Sequence, residues 1–188
     1  MTDMVTHIRA RISAGALDKA TRFFNAGLED IFNELLQNAR RAGATRVEII
    51  EEPDHIIVRD DGVGMRNPET LLSFGKSGWE GETARLEDPA GMGFWSLSRR
   101  GCEIWSMPEG ALSGWYAKIT PKAFQGRESI AVKTLDDERQ GTGISFPKKD
   151  GGEMSVRPLL EKVAGFYPIP VFYSSHPDDP TAIVRSDF

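Results

Sequence analysis

The chain has 188 residues, of which 39% are hydrophobic and 27% are charged, and its formal net charge is −5. This length and composition favour one globular domain with a sizeable core. The negative net charge argues against a general nucleic-acid surface, because binding to phosphates favours a basic face.

The sequence also indicates the compartment. No apolar run approaches the roughly 20 residues of a membrane span, and the first 14 residues lack the apolar core of a signal peptide. Cys102 is the only cysteine, so an internal disulfide is impossible and a reducing compartment is expected. The three histidines are scattered singly and match no zinc spacing. We therefore predict a cytoplasmic protein without a membrane segment, and we do not expect this domain to bind nucleic acid.

Two helices are predicted before residue 45, a short one over 17–24 and a longer one from about Gly27 to Arg41. Glu34 and Asn38 are four residues apart in the longer helix, so their side chains point together. A carboxylate beside a carboxamide suits the activation of a water molecule and the binding of a hard cation. The same spacing is also common on solvated helix faces, so the rest of the chain must decide between these interpretations.

A hairpin follows, with strands predicted at 46–50 and 55–60. Its second strand runs into the segment Asp60-Asp61-Gly62-Val63-Gly64-Met65. Two glycines just after a strand let the backbone turn sharply and approach a ligand closely. An aspartate at a strand end is suited to accept a hydrogen bond from a ligand amino group. A turn with a solvated aspartate explains this segment alone equally well.

The next predicted element is a helical turn or two over 68–74. The polar, glycine-rich stretch from Gly75 to Pro89 is typical of a mobile lid. A helix is then predicted to begin at Gly91-Met92-Gly93-Phe94 and to run to about Arg100. Glycines at a helix start expose backbone N–H groups, which suit phosphate oxygens.

The remainder predicts an antiparallel meander, with strands at 103–107, 115–119, 129–135 and 143–146. A helix over 156–166 and a short strand over 170–173 follow, and the polar segment from 174 to 188 is linker-like. We expect a single domain spanning 1–188, which is compatible with the front part of a longer protein.

Two partial motifs fail on inspection. Gly75-Lys76-Ser77 resembles the end of a P-loop, but Thr70 occupies the first glycine position of that motif. The pairs Gly62-x-Gly64 and Gly91-x-Gly93 each match half of a dinucleotide fingerprint, and both lack its third glycine.

Taken together, the motifs resemble the GHKL ATPases, which include gyrase, the ninety-kilodalton heat-shock chaperones, histidine kinases and MutL. The boxes occur in the family's order: Glu34-x-x-x-Asn38-Ala39 followed by Ala42-Gly43-Ala44-Thr45, then Asp60-x-Gly62-x-Gly64-Met65, then Gly91-Met92-Gly93-Phe94-Trp95-Ser96. A fourth signal is Gly141-Thr142-Gly143 at the entry to a strand. The likeness covers about 27–146, and it is strongest to the amino-terminal ATPase domains of the chaperones and of MutL and MORC proteins.

The resemblance implies a role for each matching residue. On the base side, Asp60 would accept from the adenine amino group, Thr142 would assist through a shared water, and Gly64 and Met65 would lie against the base. Gly62 would be a further ATP-binding residue. On the phosphate side, Glu34 would polarise the attacking water, Asn38 would complete the coordination of Mg²⁺, and the amides of Gly91, Met92, Gly93 and Phe94 would cradle the phosphates. Lys76 in the lid would either reach a phosphate or remain solvated.

The implied fold is α+β, a two-layer α/β sandwich known as the Bergerat fold. It has a mixed, mostly antiparallel sheet with helices on one face and an ATP lid over about 75–90. The implied function is that of a Mg²⁺-dependent ATPase, a switch that dimerises with ATP bound and acts on an unknown client. Two alternatives stay open: a protein serine kinase of the anti-sigma-factor type, which also carries a glutamate in this position, and a non-catalytic ATP sensor.

One departure from the family concerns Arg41, which stands where the chaperones and MutL usually have an aspartate that supports the nucleotide site. The family's ATPases also take a lysine or arginine from a following domain, and none is visible here. The resemblance therefore implies that this segment binds ATP and, by itself, hydrolyses it slowly or not at all.

Overall fold

The structure is a computed structural model that describes residues 5–9, 27–72, 93–136, 139–148, 155–175 and 182–184. The strands within these ranges are β1 (Val5–Ile8), β2 (Val47–Glu51), β3 (His55–Asp60), β4 (Cys102–Met107), β5 (Gly114–Ile119), β6 (Ile130–Leu135), β7 (Gly141–Pro147), β8 (Val171–Ser174) and β9 (Ala182–Val184). The α-helices are α1 (Leu28–Arg41), α2 (Pro121–Phe124) and α3 (Arg157–Ala164), and 3₁₀ helices cover Pro68–Leu72 and Gly93–Leu97.

Three predicted features lie outside the described residues. They are the helix over 17–24, the lid with Lys76, and the segment Gly91-Met92 at the start of the third box. No helix in the described part of the chain is long and apolar enough to cross a membrane.

The strands form one nine-stranded sheet in the order β1-β6-β5-β4-β7-β3-β2-β8-β9. The pair β2–β8 is parallel and the other pairs are antiparallel, which confirms a mixed, mostly antiparallel sheet. The predicted four-strand meander is correct for β4, β5 and β6 and wrong for β7. Strand β7 lies between β4 and β3 instead of next to β6. Its alternation of buried residues shows which face is apolar, but alternation carries no information about neighbouring strands.

Helix α1 covers the centre of one sheet face. Its apolar residues recur at helical spacing and are buried: Ile31, Phe32, Leu35, Leu36 and Ala39. The rings of Phe32 and Phe146 lie 6.4 Å apart, which places the helix over β7. Burial of each large side chain contributes about 1.5–3 kcal/mol, so this apolar stripe is what holds α1 on the sheet.

The other helices flank α1 on the same face. Lys162 of α3 forms an ion pair with Glu29 of α1 at 2.8 Å. Leu160, also on α3, is fully buried in the hydrophobic core. The 3₁₀ helix at 93–97 packs Phe94 and Trp95 against Phe124 of α2, with ring centroids 5.4 and 5.5 Å apart. The two-layer arrangement with helices on one face is therefore confirmed.

Short elements were missed from the sequence. Helix α2 lies between the predicted strands at 115–119 and 129–135, and Thr120 caps it by accepting from the Ala123 amide at 3.1 Å. Strands β1 and β9 lie at the two ends of the sheet, and β9 falls in the segment predicted to be linker-like. Strands of three or four residues have too little pattern to detect, because pairing with a neighbouring strand supplies most of their stability.

Glu51 ties α3 to the sheet. Its side chain is 6% exposed, and it accepts hydrogen bonds from the hydroxyls of Tyr173 and Ser155 and from the Val156 amide. Lys148 completes the set with an ion pair. Burial by itself would raise the pKa of Glu51, but these contacts outweigh burial and lower the pKa below the ordinary 4.5.

We expect Glu51→Gln to lower the free energy of unfolding by about 3 kcal/mol, because the substitution leaves the Lys148 ammonium buried without its counter-charge. Urea denaturation at pH 7 measures the change. Since the pKa of Glu51 is lowered, the contribution exists above about pH 4.5 and disappears as the pH falls below it. Glu103→Gln is the matched control, since Glu103 also pairs with a lysine but is exposed. Equal losses in the two variants would contradict the role of Glu51.

Candidate functional site

A row of polar side chains crosses the sheet at the end of β3. Asp60 is opposite Thr142 of β7, Thr142 is opposite Ser106 of β4, and Ser106 is opposite Trp115 of β5. These four residues, here called the polar row, continue the buried series of their strands and so face the helix layer. The register therefore brings Asp60 and Thr142 side by side, as the resemblance implied.

Asp60 is the acceptor at one end of the polar row. Its Oδ1 accepts from the Gly62 amide at 2.9 Å. Burial raises the pKa of Asp60 to about 6, although hydrogen bonds from the backbones of Gly62 and Thr142 act to lower it. A carboxylate has about four acceptor positions, so these two bonds leave Asp60 able to accept from a ligand.

Hydroxyl groups continue the network from Asp60 along the row. The hydroxyls of Ser106 and Thr142 lie 3.0 Å apart, and Ser106 Oγ donates to the Gly141 carbonyl at 3.1 Å. Ser106 also accepts from the Met65 amide at 2.8 Å. Because the one proton of Ser106 is engaged by Gly141, Thr142 donates to Ser106 and presents its remaining lone pairs beside Asp60.

The loop from Asp61 to Met65 is fastened over this row at both ends. Trp115 Nε1 donates to the Met65 carbonyl at 2.6 Å, and Gln140 donates to the Gly62 carbonyl at 3.1 Å. The Gly64 backbone lies directly against the Met107 carbonyl. The three predicted loop residues, Gly62, Gly64 and Met65, thus surround the polar row in a defined conformation.

Asp61 fixes the other side of the same loop. Its carboxylate accepts from the Thr45 amide at 2.7 Å, the Thr45 hydroxyl at 2.5 Å and the Arg46 amide at 3.0 Å. These bonds lower the pKa of Asp61, against the opposing effect of burial. Asp61 therefore ties the end of β3 to the turn after α1 and is a structural residue.

Helix α1 reaches this loop through its C-terminal end. The Val63 amide donates to the Ala42 carbonyl at 2.9 Å, and Gly62 packs against Ala42. Ala42, Asn38 and Glu34 are spaced four residues apart and share one helix face. Each step of four residues is about 6 Å along the axis, so Asn38 and Glu34 lie one and two turns from the loop.

Glu34 and Asn38 have environments that suit their predicted roles. Both are partly buried. Within the described ranges, no hydrogen bond or ion pair engages the Asn38 carboxamide. Burial raises the pKa of Glu34, while Arg41 opposes the shift and Asp30 adds to it. A carboxyl group with a raised pKa is suited to act as a general base near neutral pH.

Arg41 therefore acts on Glu34 electrostatically. Its guanidinium hydrogen-bonds the Gln37 side chain at 3.3 Å, one turn earlier on α1. The positive charge favours the ionised form of Glu34. In this chain the position that is usually acidic in the chaperones and MutL thus supports the charged state of the predicted base.

The phosphate side of the predicted site is described in part. Gly93 begins the 3₁₀ helix, and the Phe94 side chain is buried in the core, 7% exposed. Phe94 thus anchors the segment through its ring, and its predicted contact with phosphate involves the backbone amide alone. Gly91, Met92 and Lys76 lie outside the described residues. No group of three or more His, Cys, Asp or Glu side chains forms a metal site in the described ranges.

Sequence reasoning missed Ser106, Trp115 and Gln140, which hold the loop in place. Their one signal in the sequence was alternation within β4 and β5, which places Ser106 and Trp115 on the core face. A serine at a core position needs hydrogen-bond partners, but only the pairing of β7 with β4 shows that Thr142 supplies one.

The sheet and its helices form a two-layer α+β domain, and the polar row faces the helix layer. Neither a protein-family model nor a curated protein sequence matches the chain. A solved structure that does resemble it is the Aquifex aeolicus MutL ATPase domain complexed with ADP, with a TM-score of 0.58 and 16% identity. The likeness covers 87% of this chain and 65% of that chain. The fold is therefore that of the GHKL-type ATPases, as the motifs implied.

Gly141 lets β7 approach the end of β3. It has φ +119°, and a Cβ there would overlap the carbonyl oxygen of Asp60. We expect Gly141→Ala to lower the free energy of unfolding by about 3 kcal/mol, through steric overlap and backbone strain. Gly110→Ala is the control, because Gly110 also has positive φ but faces open space, and it should cost about 1 kcal/mol. Thermal unfolding of both variants measures the difference, and similar losses would contradict this placement of β7.

Proposed function

We propose that this single domain, residues 1–188, binds ATP with Mg²⁺ and hydrolyses it as a conformational switch of the chaperone or MutL kind. The observation that carries the proposal is the polar row, in which a partly buried Asp60 stands beside Thr142 under a fastened glycine loop. The GHKL-type fold supports it, since the similar MutL ATPase domain was solved with ADP.

The base end of the site fits adenine by hydrogen-bond complementarity. A carboxylate accepts and does not donate, so Asp60 selects a ligand edge that carries an amino group. Thr142 offers a second acceptor position next to it, reached directly or through a water. Gly62, Gly64 and Met65 present backbone and a thioether to the flat face of the base, and they exclude bulky side chains from that space.

The helix end of the site fits the phosphates and the metal. Asn38 offers a neutral oxygen that would help hold Mg²⁺, and hard cations prefer oxygen ligands. When bound, the metal would neutralise phosphate charge and polarise the phosphorus–oxygen bonds. Glu34, one turn away, would orient a water and accept its proton. The amides of Gly91, Met92, Gly93 and Phe94 would face the phosphates, and Lys76 would reach them from the lid.

The switch itself would involve the lid over 75–90. ATP would order the lid and promote a homodimer, and hydrolysis would reverse both steps. A reducing compartment, the cytoplasm, suits this protein, since its one cysteine is buried in β4. Burial raises the pKa of the Cys102 thiol, which makes it unreactive. The client that the switch serves is a protein partner still to be identified.

We expect Asp60→Asn to weaken ADP binding by roughly 10- to 100-fold, because the ligand loses a hydrogen bond to a charged acceptor. Isothermal titration calorimetry at pH 7.5 measures the affinity. Asp61→Asn is a poor control, since Asp61 ties the loop, so Asp54→Asn in the β2–β3 turn is used instead. Unchanged ADP affinity in Asp60→Asn would refute the placement of the adenine ring beside Asp60.

The affinity ratio of wild type to Asp60→Asn should depend on pH. The pKa of Asp60 is about 6, so the carboxylate is charged at pH 7.5 and protonated at pH 5. We expect the ratio to fall toward one between these values, since protonation removes the charged acceptor. Protonation of the ligand's own phosphates affects its binding to wild type and to the variant alike, so it cancels in the ratio. A ratio that stays constant would show that Asp60 does not contact the ligand.

We expect Glu34→Gln to lower the rate of ATP hydrolysis by at least 100-fold, because it removes the general base. ADP affinity should stay within threefold of wild type, since Glu34 contacts the water and not the nucleotide. Phosphate release and calorimetry measure the two quantities. Glu29→Gln, on the same helix and paired with Lys162, is the matched control.

The same assay separates the alternatives. Radiolabel that moves from ATP to a protein partner would indicate the serine kinase. Tight binding without turnover in the full-length wild type would indicate the nucleotide sensor. Equal loss of binding and turnover in Glu34→Gln would contradict its assignment as the base.

A further inference from the structure

The sheet face opposite the helices carries a second pocket. Strand residues alternate between faces, so Arg59, Trp105 and Gly143 point away from the polar row. The register places these three side by side on β3, β7 and β4. Together with Arg46 before β2, Glu48 of β2 and Arg139 before β7, they line a cavity of about 520 Å³. That volume lies in the range of small-molecule sites.

The floor of this pocket is the indole of Trp105. A Cβ at Gly143 would overlap the indole ring, so the absence of a side chain lets the ring lie flat on β7. Trp105 is partly exposed. The guanidinium carbon of Arg59 lies 5.4 Å from the ring centroid, so a cation and an aromatic surface meet at one point.

Among the described residues, none supplies a counter-charge to Arg59. Glu48 is directly opposite Arg59 in the register, but its carboxylate binds Arg46 at 2.5 Å. In the described part of the chain, no carboxylate lies within ion-pair distance of Arg59, and its buried Nε has no hydrogen-bond partner. A partly buried cation without an anion is costly, because it loses hydration without a compensating contact.

The described charged groups around the pocket leave the Arg59 guanidinium without a carboxylate partner. Three arginines and three carboxylates line the pocket: Arg46, Arg59 and Arg139, with Glu48, Asp60 and Asp61. Glu48 pairs with Arg46, and the Asp61 carboxylate accepts hydrogen bonds from the turn at Thr45. A guanidinium binds carboxylate and phosphate groups through paired N–H donors.

We propose that this pocket, centred on Arg59 and Trp105, binds a small aromatic anion. Its carboxylate or phosphate group pairs with the Arg59 guanidinium, and its ring packs against the indole of Trp105. The pocket is centred on the sheet face opposite the helices, although Asp60 and Thr142 of the polar row also contribute to its lining. The proposal does not depend on the proposed ATP function. Carboxylate and phosphate share the same recognition chemistry, and the test distinguishes them.

Two tryptophans report on the two sheet faces independently. The indole N–H of Trp105 belongs to the proposed pocket, whereas the indole N–H of Trp115 donates to Met65 in the polar row. Phenylacetate and phenylphosphate are titrated separately into ¹⁵N-labelled protein, with neutral benzyl alcohol as the third probe. Trp105→Phe assigns the Trp105 signal in the ¹H–¹⁵N spectrum.

We expect one or both anions to shift the Trp105 indole signal saturably, while benzyl alcohol does so at least tenfold more weakly. The anion that binds more tightly identifies the group that the site prefers. Arg59→Gln should weaken this binding at least tenfold. Arg127→Gln, which removes one charge from an exposed turn outside the pocket, should leave it within twofold.

Several outcomes would overturn the proposal. These are a shift of Trp105 that stays linear with concentration, equal affinity for benzyl alcohol, and affinity unchanged in Arg59→Gln. A shift of Trp115 alone would assign the anion to the opposite face. Titration with ADP reports on the proposed nucleotide site through Trp115, so failure of one site is distinguishable from failure of the other. A native thermal melt of Arg59→Gln checks that the variant is folded.

Discussion

The insertion of β7 between β3 and β4 is the constraint on which the site depends. This register aligns Asp60, Thr142 and Ser106 on three neighbouring strands, at a spacing of about 5 Å set by backbone hydrogen bonds. Side-chain choice alone cannot reproduce that alignment. Gly141 allows it, because a side chain there would overlap the end of β3. The loop over the site is held by Ser106 of β4 and Trp115 of β5, and Ser106 is itself hydrogen-bonded to Gly141 and Thr142 of β7.

Four carboxyl groups near this framework differ in pKa because their contacts differ. Glu51 and Asp61 accept several hydrogen bonds each, which lower their pKa and keep them charged as structural ties. Asp60 and Glu34 are dominated by burial, which raises their pKa. A structural carboxylate must stay charged to keep its hydrogen bonds. A carboxylate that accepts from a ligand or acts as a base needs acceptor positions that other protein groups do not occupy. The distribution of hydrogen bonds thus separates the structural carboxylates from the candidate functional ones.

Strand β7 also contributes residues to a candidate site on each face of the sheet. Thr142 belongs to the polar row, and the adjacent Gly143 accommodates the indole of Trp105 on the other side. The two faces differ in chemistry at this point, since a hydroxyl and carboxylate network faces the helices and the pocket at Arg59 and Trp105 faces away from them. Alternation of side chains along one strand is sufficient to produce this difference.

The sequence by itself determined the local elements and the candidate ligand-binding residues. Apolar periodicity located α1, β2, β3 and the strands of the second half, and the spaced boxes identified Glu34, Asn38, Asp60 and Thr142 in the order of the GHKL ATPases. These features are local, because helical spacing, strand alternation and glycine positions are readable within a few residues. Tertiary structure decided the place of β7 in the sheet, the short edge strands, the supporting roles of Ser106, Trp115 and Asp61, and the pocket at Arg59. Each of these depends on contacts between residues that are not close in the sequence, such as Thr45 and Asp61, which are 16 positions apart, and Ser106 and Thr142, which are 36 apart.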